Sequence, residues 1–103
     1  MTIGELQEQA KEVGSLFPRT TLDQRVLFLM TEVGEVAAEA LVLSGAHGKA
    51  DCAAAKARLA LEMYDVIWNI CDLANMLSID LTEACERKIA HNRTRVWEEV
   101  EAS

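Results

Sequence analysis

The stretch VLFLMTEVGEVAAEALVL, residues 26–43, decides the fold class. Its only charged residues are Glu32, Glu35 and Glu39. At about 100° per residue these three fall in a stripe roughly 60° wide. The rest of the stretch is apolar, small or threonine on every side, and a helix of that kind is buried on most of its faces. The sequence therefore predicts a largely buried helix with one narrow acidic face.

A second stretch, LALEMYDVIWNICDLANML at residues 59–77, repeats this arrangement. Its polar side chains at Glu62, Asp65, Asn69 and Asp72 share a stripe of about 80°. Two largely buried helices with one acidic stripe each are most simply packed with the stripes facing each other. We therefore expect a cleft lined by carboxylates.

The alternative is that each stripe is the solvated face of an amphipathic helix. Solvated faces usually mix charges of both signs, whereas Glu32/Glu35 and Glu62/Asp65 are like-charge pairs one turn apart. Such pairs cost stability unless a cation neutralises them. Neither stripe contains His or Cys, and an all-oxygen donor set suits Mg²⁺ or Mn²⁺ better than zinc.

A basic tract near the end of the chain, residues 87–95, contains four Lys or Arg and no acid. Lys88, Asn92 and Arg95 lie on one helical face because their spacings are four and three. Such donors beside a metal site suit a polyphosphate. The alternative is that the basic side chains complement the helix dipole.

The capping signals and the periodicity predict an all-α chain of four helices in one domain, residues 1–103. Thr2 and Thr21 open capping boxes, and Asp51 and Asp80 are expected to cap the other two helices. The expected helices lie near residues 3–15, 22–44, 52–78 and 81–100. About 100 residues with helices that are apolar on two sides leave surface that one chain can hardly cover, so we expect oligomerisation to complete the core.

The composition narrows the range of partners. Ten Lys and Arg against 17 Asp and Glu give a net charge of −7, which argues against nucleic acid as a partner. There is no apolar run of membrane length and no signal-peptide pattern, so we expect no membrane partner and a cytoplasmic location. Cys52, Cys71 and Cys85 have no paired spacing, and we expect them to be reduced thiols in the core.

Taken in order along the chain, these motifs resemble the MazG-like all-α nucleoside triphosphate pyrophosphohydrolases, in particular the short single-domain branch that includes dCTP pyrophosphatases. The resemblance covers roughly residues 20–97. It is carried by Glu32-x-x-Glu35, Glu62-x-x-Asp65 and Lys88-x-x-x-Asn92-x-x-Arg95.

The resemblance implies Mg²⁺-dependent hydrolysis of a (deoxy)nucleoside triphosphate to the monophosphate and pyrophosphate, in a homodimer or homotetramer that cleans the nucleotide pool. It implies metal binding by Glu32, Glu35, Glu62 and Asp65, and contacts with the triphosphate or sugar from Lys88, Asn92 and Arg95. Glu35 or Glu32 would take the catalytic role, as a metal ligand or as a general base acting through water.

The base pocket is not identified by the motifs. Phe17, Phe28 and Trp68 are candidates for stacking on a base, with burial in the core as the alternative. Two other functions stay open at this point. One is a non-catalytic helical dimerisation or regulatory module with an acidic metal-binding cleft, and the other is the same site with a different phosphorylated substrate.

Overall fold

A computed structural model describes the backbone of residues 1–102 and the side chains of residues 1–95. Over this part of the chain the fold is all-α, without strands, which confirms the predicted fold class. Its helices are α1 (Ile3–Gly14), α2 (Leu22–Ser44), α3 (Lys49–Met76) and α4 (Leu81–Ala102).

The two threonine capping boxes form as the sequence predicts. Thr2 accepts a hydrogen bond from the Glu5 N–H, and Thr21 accepts one from the Gln24 N–H. In each box the side chain of the third helical residue accepts from the N–H of the threonine. Each box thus satisfies backbone N–H groups that the helix start would otherwise leave without a partner.

The start of α3 differs from the prediction. The helix begins at Lys49, three residues before the expected position, and Asp51 lies in its first turn without capping it. Gly48 precedes the helix with φ of 84°, a conformation that glycine adopts without a steric penalty. At the next boundary Asp80 accepts a hydrogen bond from the Glu83 N–H, as expected.

The interior is organised around α3. Helix α2 packs along α3, α1 crosses the C-terminal half of α3, and α4 packs against α1. The buried apolar side chains are small ones: Ala10, Ala55, Cys71 and Ala74. Small residues let helix backbones approach closely, but they bury little apolar area.

The outer face of α2 is left uncovered. No residue of α2 is buried, and Leu27, Met30 and Leu41 are 60–73% exposed on one side of this helix. The radius of gyration is 17.4 Å, against about 13 Å for a compact chain of this length. The protomer is therefore open, with its α2–α3 hairpin covered by other helices only in part.

The sequence predicts three reduced thiols in the core. All three cysteines are free, but only Cys71 is buried, while Cys52 is half-buried and Cys85 is exposed. The expectation of core thiols is thus wrong for Cys85, because α4 packs on α1 along a limited surface.

Within the described residues, every helix falls short of the length or the apolar character that crossing a membrane would require.

Candidate active site

Three carboxylates meet where α2 packs against α3. Glu32 and Glu35 project from α2, Glu62 projects from α3, and one oxygen from each lies within 4.8 Å of the other two. The spacing of three places the α2 pair on one face, and the antiparallel packing brings Glu62 across to it. The cleft of facing acidic stripes that the sequence predicts is therefore present, and we call these three residues the acidic cluster.

The cluster is electrostatically crowded. Burial raises the pKa of Glu32, and the charges of Glu35 and Asp65 raise it further. The pKa of Glu62 is raised first by a hydrogen bond with the Glu35 side chain, then by burial and by the neighbouring carboxylates. The carboxyl groups of Glu32 and Glu62 therefore hold protons more tightly in the folded chain than isolated glutamates do.

The cluster fits a divalent cation on two observations. Oε2 of Glu32 and Oε2 of Glu62 are shielded from water and have no hydrogen-bond partner among the described residues. Buried acceptors without partners are costly, and a cation would satisfy both oxygens and neutralise the crowded charges. The donors are all carboxylate oxygens, which hard cations prefer.

Asp65, the fourth predicted ligand, lies beside the cluster. It follows Glu62 by one turn of α3, its charge raises the pKa of both Glu32 and Glu62, and it lines the same pocket as Glu32. Its oxygens are outside the group of three that lies within 4.8 Å. The structure thus brings all four predicted carboxylates to one region, with three of them in mutual reach.

The predicted basic residues are not part of this region within one protomer. Lys88, Asn92 and Arg95 are exposed on α4, and α4 contacts α1 without extensive contacts to α2 or α3 among the described residues. None of the three lines the pocket.

A pocket leads away from the acidic cluster toward the C-terminal end of α1. Glu32 and Asp65 line one end of it. The three aromatic side chains that the sequence offers for stacking, Phe17, Phe28 and Trp68, all line its walls. Phe17 and Phe28 are 61% and 52% exposed, so the alternative of burial in the core is wrong for these two rings.

Arg25 is the residue of this pocket that sequence reasoning missed. Its Nε lies 2.7 Å from Oδ2 of Asp72, a close ion pair in which the N–H bond is not directed at the oxygen. Its terminal nitrogens donate to Oδ1 of Asn69 and to Oγ1 of Thr20. A signal was present in the sequence, because Arg25 precedes Glu32 by seven residues and therefore shares its helical face.

The outer members of the two acidic stripes are held by arginines. Asp72 pairs with Arg25, and Glu39 accepts from Nε of Arg58 at 3.0 Å. Gly14 of α1 approaches Asp72 so closely that a Cβ there would lie 2.9 Å from Oδ1. The end of α1 thus closes the pocket on the side away from the acidic cluster.

The chain is similar to a curated protein and to a solved structure. The chain is 34% identical over 97 residues to a dATP/dGTP diphosphohydrolase of Cyanophage S-2L, covering 93% of this chain and 78% of that protein. The crystal structure of iMazG from Vibrio DAT 722 superposes with a TM-score of 0.67 at 27% identity, covering 92% of this chain and 97% of that one. No protein-family profile matches the chain.

Proposed function

Because the chain belongs to the MazG-like family of all-α nucleoside triphosphate pyrophosphohydrolases, we propose that it hydrolyses (deoxy)nucleoside triphosphates to the monophosphate and pyrophosphate with Mg²⁺ at the acidic cluster. The observation that carries the assignment of the site is the meeting of Glu32, Glu35 and Glu62 at the head of a pocket lined by aromatic rings. A pool-cleaning role in the cytoplasm is part of the same proposal.

Glu32, Glu35, Glu62 and Asp65 are the proposed ligands, and Mn²⁺ is expected to substitute. When bound, the cation supplies charge neutralisation on the phosphates and a lowered pKa of bound water. Glu35 is the most exposed member of the cluster. It is therefore the best placed of the three to accept a proton from an attacking water, and we propose it as the catalytic base, with Glu32 as a ligand.

We propose that the protein is a homo-oligomer, a dimer or a tetramer. The accessible surface of the chain is 7829 Å², whereas a compact monomer of 11.4 kDa exposes about 5,800 Å². The excess is of the size that stable subunit interfaces bury. Leu27, Met30 and Leu41 lie on one side of α2, where a second copy would cover them.

Oligomerisation also offers a role for the basic face of α4. In one protomer Lys88, Asn92 and Arg95 are exposed and lie away from the pocket. We propose that these side chains of a second copy contact the triphosphate or the sugar, where Lys and Arg would stabilise charge on non-bridging oxygens.

The test is pyrophosphate release from canonical and modified dNTPs and NTPs at millimolar Mg²⁺, with Glu35→Gln as the control. Release that depends on the metal and disappears in the variant is the expected result. Absence of release from every substrate, together with no rise in melting temperature on adding Mg²⁺ and nucleotide, would overturn the assignment of the site.

A further inference from the structure

Arg25 lines the same pocket as Glu32 of the acidic cluster. It precedes Glu32 by two turns of α2, a distance of about 10 Å along the helix axis, and Phe28 lies between them on the same wall. A nucleotide whose phosphates are held at the acidic cluster would extend its base toward Arg25. This step rests on the function proposed above.

The guanidinium of Arg25 is fixed from three sides. The α3 residues Asp72 and Asn69 hold it at 2.7 and 3.2 Å, and Thr20 of the α1–α2 loop holds it at 3.3 Å. The side chain is only 13% exposed. A donor group held in this way can discriminate between ligands, because it does not reorient to suit each of them.

Two aromatic rings flank the same group. The Cζ atom of Arg25 lies 5.6 Å from the centre of the Phe28 ring and 5.5 Å from the centre of the Trp68 ring. Rings offer every base a stacking surface with little selectivity. Selectivity must therefore come from the hydrogen-bonding groups beside the rings.

Among the described residues, the terminal nitrogens of Arg25 have two N–H donors left over, in addition to the Nε–H that is not directed at Asp72. Each terminal nitrogen carries two hydrogens. One of them donates to Asn69 and one on the other nitrogen donates to Thr20, so one N–H on each nitrogen has no partner among the described residues. Two neighbouring N–H groups on a planar fork match two neighbouring acceptors.

Only some bases present two adjacent hydrogen-bond acceptors on one edge. Guanine offers O6 and N7 side by side, and cytosine offers O2 and N3. Adenine places an amino donor beside N7, and thymine places an N–H between its two carbonyl groups. We propose that Arg25 is the specificity-determining residue of this enzyme and that it selects nucleotides whose base presents two adjacent hydrogen-bond acceptors.

The experiment compares kcat/KM for the four dNTPs in the wild-type protein, Arg25→Gln and the matched control Arg58→Gln. Arg58 forms its ion pair with Glu39 and does not line the pocket. The wild-type and control proteins should favour dGTP, dCTP or both over dATP and dTTP by about 5- to 150-fold, the discrimination of one bidentate contact. The ratio of dGTP to dCTP identifies which of the two edges is read.

Glutamine carries one donor and one acceptor and so matches the N6 and N7 edge of adenine. Arg25→Gln should therefore move the preference toward dATP by a similar factor. Arg25→Lys keeps the charge and loses the fork, so it should lose discrimination while retaining the fold. Circular dichroism of both variants confirms folding, and Arg25→Lys carries the test should Arg25→Gln not fold.

An equal loss for all four nucleotides in both variants would overturn the proposal, because Arg25 would then act only on the architecture of the pocket. A wild-type preference for dATP or dTTP would also overturn it. Calorimetric binding of the four dNTPs separates this inference from the proposed function. Selective binding without turnover would contradict hydrolysis and support the role of Arg25. Turnover or binding that does not distinguish the four nucleotides would contradict the role of Arg25, and so would the absence of any binding.

Discussion

At the residue scale, the acidic cluster supplies the proposed metal ligands and also destabilises the fold. Glu32, Glu35 and Glu62 place like charges within 4.8 Å, and two of their oxygens are buried without hydrogen-bond partners in the part of the chain that the structure describes. An arrangement that lowers stability while it positions oxygen donors is typical of functional sites.

Replacing Glu35 by glutamine, or Asp65 by asparagine, should abolish turnover and leave the metal-free chain as stable as the wild type or more stable. Each change removes one negative charge from the crowded region and keeps the side-chain shape. Pyrophosphate release measures the expected loss of turnover, and chemical denaturation of the same preparations measures the stability. A loss of helicity in either variant would instead indicate a structural role.

The stability of the metal-free chain should fall as the pH rises above about 4.5. Glu32 and Glu62 have pKa values raised from 4.5, so the folded chain binds more protons than the unfolded chain from that pH up to the raised values. The free energy of unfolding therefore decreases with pH through this window. Urea titrations at a series of pH values measure it.

The matched variant for this pH effect is Glu62→Gln, which removes one of the two carboxyl groups whose pKa values are raised in the folded chain. Its stability should fall less steeply with pH than that of the wild type. Parallel profiles for the two proteins would contradict the link between the cluster and the pH dependence.

At the element scale, Gln7 connects α1 by hydrogen bonds to α3 and to the segment that follows it. Gln7 donates from Nε2 to the Ile79 carbonyl at 2.6 Å and accepts at Oε1 from the Leu81 N–H at 3.1 Å. Its own carbonyl accepts from Nδ2 of Asn75. The contacts fix α1 against the turn between α3 and α4, and the far end of α1 then closes the pocket beside Asp72.

Gln7→Leu should lower the free energy of unfolding by about 1–2 kcal/mol, because it leaves a backbone carbonyl and a backbone N–H without their partners. The matched control is Gln9→Leu, on an exposed position of the same helix for which no hydrogen bond of the side chain is present in the described structure. Thermal denaturation of both variants provides the comparison. An equal effect of the two substitutions would show that the contacts of Gln7 do not stabilise the α1 position.

The helix boundaries illustrate which local signals are reliable. The predicted α2 matches Leu22–Ser44, since Thr21 and Gln24 form a capping box whose energetics are local. The predicted start of α3 is three residues late, since a glycine with positive φ can precede a helix without a side-chain cap. Asp51 lies in the first turn, where an acidic residue is also favourable, and so resembles a capping residue in the sequence.

At the scale of the whole molecule, the single chain is more open than a compact chain of its length. Its radius of gyration and its accessible surface both exceed those of a compact chain of this size. Large apolar side chains remain exposed along α2. These observations support the proposed homo-oligomer, in which a second copy would cover the apolar side of α2.

In solution the wild-type protein should have a molecular mass above the 11.4 kDa of one chain, and Leu41→Glu should lower the measured mass toward that value. Leu41 is 73% exposed on the uncovered side of α2, where a buried carboxylate would oppose association. Leu16→Glu is the matched control, because Leu16 is 79% exposed but lies after α1. Analytical ultracentrifugation tests this, and a wild-type protein that is monomeric at all concentrations would contradict it.

The helices and the facing acidic stripes follow from the order of residues alone, because helical periodicity and like-charge spacing are local properties of the chain. The family follows from the resemblance of the motifs to those of known proteins. The pocket does not follow from that order. Arg25, Asn69 and Asp72 come from two helices, and only the packing of α2 on α3, with α1 closing one end, brings their side chains together. Contacts between distant segments depend on helix register and crossing, and a single sequence does not encode these in any local pattern.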